Sequence, residues 1–133
     1  MFRILTASVF ALCALPALAG DAAKGEADFK KCRACHAVIS PDGTAVQKGG
    51  KTGPNLWGLI GSPVAASDFP YGASIKSVGA SGTLWDEASL AAYVADPTAW
   101  LKDQTGDAAA KAKMTFKLTK GAEDMAAYLA TLK

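Results

Sequence analysis

The chain has 133 residues, half of them hydrophobic, with 14 basic against 12 acidic side chains and a net charge of +2. That length accommodates one domain with a modest core. The near balance of charge excludes the strongly basic surface of a nucleic-acid-binding protein.

The start of the chain reads as a leader. Arg3 supplies a positive charge, residues 4–18 form an apolar run, and Ala17-Leu18-Ala19 gives a small-x-small cleavage pattern before Gly20. Residues 1–19 are therefore predicted to be a cleaved secretory signal peptide. The apolar run is too short for a spanning helix. Cys13 invites a lipoprotein reading, but Leu12 stands before it where a small residue is expected. Cleavage removes Arg3 and no acidic residue, so the mature charge falls from +2 to +1. It also removes Cys13, leaving Cys32 and Cys35 as the cysteines of an exported domain over residues 20–133.

Asp21 is suited to N-cap a first helix running to about Cys32, with Ala22, Gly25, Phe29 and Cys32 on one face. Residues 40–52 are polar, carry Pro41-Asp42-Gly43 and Gly49-Gly50, and read as turns and loop. Gly53-Pro54 excludes regular structure around it. Residues 62–83 are again loop-rich, with Pro63, Pro70, Gly72, Gly79 and Gly82. Residues 85–94 read as a helix that stops before Asp96-Pro97, because proline disfavours helix in the residue before it. Residues 99–102 suggest another turn, and 106–113 a short exposed helix or loop. Residues 120–132 form the last helix, with Met125, Tyr128, Leu129 and Leu132 on its apolar face. No run of strands is evident, so the fold class is all-α. Long irregular segments are unusual in so small a domain. They make sense if a large apolar group fills the centre and the chain wraps it.

Cys32-Arg33-Ala34-Cys35-His36 identifies that group. The C-x-x-C-H spacing is that of c-type haem attachment: two thiols add to the porphyrin vinyls as thioethers, and the histidine reaches the iron. One motif implies one haem c. A thioredoxin-type redox pair would sit in a βαβ pattern, which the chain lacks. A structural zinc site needs four ligands, and the motif offers three with no second cysteine pair. His36 is the only histidine, so two histidines of one chain cannot ligate the iron. Of the methionines, Met1 lies in the leader and Met125 on an apolar helix face, where core packing is the usual role. Met114 is a candidate second ligand, since His/Met is a standard haem pairing. The residues by themselves leave plain packing open for it.

Taken together, residues 20–36, Lys51-Thr52-Gly53-Pro54-Asn55-Leu56, Trp85, Tyr93, Asp96-Pro97, Lys113-Met114 and Ala127-Tyr128-Leu129 resemble the class I cytochromes c, and most of all the bacterial cytochrome c2 group. The resemblance spans nearly the whole mature chain. It implies the class I cytochrome c fold, with His36 and Met114 as axial ligands of one covalent haem. It further implies that the Pro54 carbonyl accepts from the His36 ring, that Tyr93 places its hydroxyl near the Met114 sulfur, and that Tyr71 and Trp85 donate to a haem propionate. The first and last helices would cross near Gly25, Phe29 and Tyr128. Ser62, Ile75 and Ala112 depart from the mitochondrial pattern, where arginine, asparagine and threonine are usual. Residues 39–48 and 104–111 are longer than in the mitochondrial proteins, as in larger c2 types.

A six-coordinate iron has no open site, so the expected function is that of a soluble periplasmic one-electron carrier, not an enzyme. The resemblance implies a cytochrome bc-type complex as donor and a photosynthetic reaction centre or terminal oxidase as acceptor. Docking would be transient, by a monomer, with charge steering by Lys30, Lys31, Lys48, Lys51, Lys102, Lys111, Lys113, Lys117 and Arg33. Two other readings compete: a haem subunit of a larger periplasmic redox enzyme, and a peroxidase-like or small-ligand-binding haem protein, which requires a weakly held distal position.

Overall fold

The computed structural model describes residues 20–133, so the predicted leader, with Met1 and Cys13, lies outside the described residues. Among the described residues five α-helices run in order: α1 Ala22–Asp28, α2 Ala73–Ala80, α3 Glu87–Ala95, α4 Pro97–Thr105 and α5 Ala122–Ala130. Strands β1 Val38–Ile39 and β2 Ala45–Gln47 form one antiparallel pair between α1 and α2. The all-α expectation holds at the level of architecture. Among the described residues no helix is long and apolar enough to cross a membrane.

α1 starts as its sequence requires. The Asp21 carboxylate accepts from the N–H groups of Ala23 and Lys24 at 3.0 and 3.2 Å, satisfying two of the helix's unpaired donors. Its α-helical part ends at Asp28, short of the predicted Cys32, and tightens into a 3₁₀ turn over Phe29–Lys31. α1 packs across α5 at Gly25. A Cβ at Gly25 would collide with the Asp124 carbonyl and lie 2.7 Å from the Tyr128 Cβ, so only glycine permits this approach. Phe29, fully buried, meets Tyr128 edge-on with ring centroids 6.0 Å apart. α3 packs on α5 and α4, and α4 on α2.

Three further expectations need correction. β2 lies in the 40–52 segment that reads as loop, and it pairs with β1 just before that segment. Val38 pairs with Gln47 and Ile39 with Ala45, leaving Val46 as a bulge. Strands of two and three residues are too short to show an alternating pattern. α2 occupies part of the predicted loop 62–83. Gly72 precedes it without a side-chain cap, and serine and glycine within it favour helix weakly; burial of Val78 ties it to the core. α4 is a nine-residue helix where a turn was expected. Asp96 caps it through Ala99 N–H at 3.1 Å, and Pro97 takes the first helical position, where its missing N–H costs nothing. α3 carries a reciprocal cap: Ser89 N–H donates to the Asp86 carboxylate at 2.7 Å, and Asp86 N–H donates to Ser89 Oγ at 3.0 Å. Residues 106–113 form turns, with no helix.

Candidate haem-binding site

The C-x-x-C-H segment follows the 3₁₀ turn as a continuing bend, in which the N–H groups of Cys35 and His36 donate to the Cys32 carbonyl at 3.1 and 2.9 Å. Residues 49–54 brace it from outside. Gly50 N–H donates to the Arg33 carbonyl and Gly53 N–H to the Cys35 carbonyl, both at 2.8 Å. The His36 ring lies against Gly53, where a Cβ would come within 2.6 Å of Nδ1. His36 Nδ1 is 2.8 Å from the Pro54 carbonyl oxygen. A carbonyl only accepts, so Nδ1 carries the proton and Nε2 keeps a free lone pair. Burial lowers the His36 pKa, with the Pro54 contact opposing it, which favours the neutral imidazole that ligates metals.

Cys32 is shifted the other way. Burial, then the Asp28 carboxylate, then Cys35 push its thiol up to about 11. Redox-active pairs depend on a depressed thiol pKa. The direction of the shift at Cys32 is opposite to that of an activated redox thiol. Among the described residues no group of three histidine, cysteine or carboxylate side chains is placed to hold a metal ion by itself.

The motif faces a mainly apolar cavity of about 530 Å³. That lies within the size range of built ligand sites. Cys32, Cys35, His36 and Pro54 form part of its wall; Tyr71, Trp85 and Tyr93 another; and Met114, from the loop between α4 and α5, a third. All eight residues singled out by sequence thus border one space. Met125, buried in α5, also lines it, and so do Ser62, Ile75 and Ala112.

Sequence reasoning missed the support behind the aromatic wall. Trp100 on α4 stacks on Trp85 with centroids 5.1 Å apart and planes at 23°, and meets Tyr93 edge-on at 5.4 Å. Burial, with Tyr71 close by, pushes the Tyr93 phenol up to about 12, so it stays a hydrogen-bond donor. The Tyr71 hydroxyl pairs with Ser67 Oγ at 2.5 Å. Gln47 was missed too, although it is the buried polar side chain of the core. Its Oε1 accepts from Arg33 Nη2 at 2.6 Å and its Nε2 donates to the Tyr128 hydroxyl at 2.8 Å. The attachment loop is thereby tied to α5. Its signal in the sequence is only a glutamine in a polar run.

The expected basic surface is uneven. Lys111 and Lys113 border the cavity, and Lys30, Lys48, Lys51 and Lys102 are exposed. Lys31 is held by Asp28 at 3.4 Å, Lys117 by Asp96 at 2.9 Å, and Arg33 by Gln47.

Two thiols in C-x-x-C-H spacing on one cavity wall, a neutral imidazole with a free Nε2, a thioether and an apolar cavity fit a covalent haem c. No family model matches the chain. It is 53% identical over 131 residues to cytochrome c2 of Rhodobacter capsulatus, covering 96% of each chain. It is 55% identical over 122 residues to cytochrome c-550 of Paracoccus versutus, covering 88% of this chain and 79% of that one. The solved structure of the Rhodobacter capsulatus cytochrome c2 superposes with a TM-score of 0.83 at 54% identity, over 84% of this chain and 97% of the other. Fold, site and these likenesses agree: the chain belongs to the cytochrome c2 family of class I c-type cytochromes, electron carriers with one covalent haem c that are not enzymes.

Proposed function

We propose that the mature protein, residues 20–133 after removal of 1–19, is a soluble periplasmic one-electron carrier in which His36 and Met114 are the axial ligands. The observation that carries this is the fixed tautomer of His36, whose Nδ1–H is held by Pro54 at 2.8 Å while a methionine lines the same cavity. When bound, the haem would supply an Fe(II)/Fe(III) couple, and thioether ligation by Met114 would favour the reduced iron. The chain's own residues do the rest. Cys32 and Cys35 hold the group covalently. Pro54 orients the imidazole and raises its basicity. Tyr93, which lines the cavity with Met114, would place its hydroxyl near the Met114 sulfur. Tyr71, whose hydroxyl is paired with Ser67, and Trp85 would be the donors to a haem propionate, offsetting the burial of that charge. Apolar walls exclude water, which keeps reorganisation on electron transfer small.

Lys111 and Lys113 at the cavity margin, with Lys30, Lys48, Lys51 and Lys102, supply the charge that steers partners to the haem edge. The partners in this reading are a cytochrome bc-type complex as donor and a reaction centre or terminal oxidase as acceptor, met transiently by a monomer. A redox titration followed by absorption, with mass spectrometry of the same sample, tests the proposal. It predicts one haem mass on the polypeptide beginning at Gly20 and a single reversible one-electron transition. A high-spin ferric spectrum would instead support a small-ligand-binding protein, and co-purification in a larger complex would support an enzyme subunit. Association rates with a membrane redox complex should fall as ionic strength rises.

A further inference from the structure

A loop that must present one thioether to a metal needs holding, and residues 111–118 contain no helix or strand to do it. The bonds come from elsewhere. On the N-terminal side of Met114, Ala112 N–H donates to Thr98 Oγ1 at 3.1 Å and Lys111 N–H to Ser74 Oγ at 3.1 Å. On the C-terminal side, Leu118 N–H donates to the Val94 carbonyl at 2.7 Å and Lys117 Nζ to Asp96 Oδ2 at 2.9 Å. A fifth, Lys113 Nζ to the Pro70 carbonyl at 3.1 Å, goes elsewhere; three of the five anchors arrive at residues 94–98, the corner where α3 ends and α4 begins.

That corner is fixed independently of the loop. Asp96 is extended, Pro97 locks the backbone at the first position of α4, and Trp100 and Leu101 bury the next turn. The Asp96 carboxylate divides its two oxygens: Oδ1 caps α4 through Ala99 N–H, and Oδ2 holds Lys117. The loop is thus pinned two residues before Met114 and again three and four residues after it, to one rigid element.

We infer that the α3–α4 corner, acting through Thr98 and Asp96, is the positioning element of the Met114 loop and sets how readily the Met114 thioether yields its place to an outside ligand. Thr98 and Asp96 work through the loop backbone and Lys117, so they are positioning residues. The inference rests on the proposed ligation by Met114.

Imidazole capture by the ferric, haem-loaded protein, followed by stopped flow, provides the test. Thr98→Val keeps the shape and deletes the acceptor for Ala112 N–H; capture should accelerate about fivefold, the scale of one net hydrogen bond. Lys117→Met removes the exposed ion pair and leaves the α4 cap intact; it should accelerate capture about twofold. Thr98→Ser restores the acceptor and should return to the parent rate. Should Thr98→Val fail to fold, Lys117→Met decides. Parent-like rates in Thr98→Val and Lys117→Met would overturn the inference, and so would a Thr98→Ser protein as fast as Thr98→Val. A parent protein lacking the methionine–iron charge-transfer band would remove the Met114 ligation itself and this inference with it; a parent that shows the band while the variants stay slow overturns the inference alone.

Discussion

The two sides of the molecule are held together by different means. On one side α1 and α5 cross at Gly25, with Phe29 against Tyr128 and helix backbones nearly touching. Each face there is filled by the other, and both are made of polypeptide. On the other side, residues 52–72 and 111–116 run mostly without regular structure and supply much of the wall of the 530 Å³ cavity. Their apolar side chains face a space rather than one another. One side is a core that the chain completes by itself; the other is half of a core, completed by the haem.

The largest break in that comparison comes from denying the second side its partner. Without the haem, the mainly apolar wall of the roughly 530 Å³ cavity faces water, and the burial that stabilises this half of the core is lost. The double variant Cys32→Ala/Cys35→Ala should therefore lose covalent haem by mass spectrometry and lose its cooperative unfolding transition by circular dichroism. A cooperative transition retained without haem would mean that the loops pack on themselves.

Gly25→Val attacks the other side. Its Cβ meets the Asp124 carbonyl, which belongs to backbone and cannot swing away. A loss of about 3 kcal/mol is expected in denaturant titrations, with the visible spectrum of the folded protein unchanged. Gln47→Leu sits between the two sides. It leaves the Tyr128 hydroxyl and Arg33 without the amide that joins them. The expected cost is about 2 kcal/mol.

The smallest effect is local to α3. Asp86→Ala removes the carboxylate half of a reciprocal cap and should cost about 1 kcal/mol near neutral pH. Hydrogen bonds from the Ser89 N–H, then the Ser89 hydroxyl, lower the Asp86 pKa in the folded state. Its contribution is therefore complete above the unfolded carboxylate pKa and lost as pH falls through the folded value. The stability gap between Asp86→Ala and the parent should close on acidification, as read from thermal melts across pH.

How much was legible in the sequence follows the same division. Helices α1, α3 and α5 announce themselves through the Asp21 cap, the Asp96-Pro97 stop and the Met125-Tyr128-Leu129 face, because caps, stops and periodicity are local signals; the Asp86 cap of α3 appears only in the structure. The haem motif is legible because its spacing is dictated by the cofactor. α2 and the hairpin are not, since weak helix formers and three-residue strands are decided by tertiary contacts such as Val78 and the Val38–Gln47 pairing. α4 was shortened in prediction because Asp96-Pro97 was read as a stop for α3, whereas the same pair starts the next helix. Gln47 and Trp100 could not be assigned for a related reason. Each owes its role to partners far along the chain, Tyr128 for one and Trp85 with Tyr93 for the other.

The central claim is that one thioether, supplied by the least regular wall of the molecule, completes the coordination of the iron. The methionine–iron charge-transfer band of the ferric protein measures this directly, compared between the parent and Met114→Ala. The account predicts the band in the parent and its loss in Met114→Ala, with the far-ultraviolet dichroism of the two proteins alike. A band that survives the substitution, or a parent that never shows it, would contradict the account.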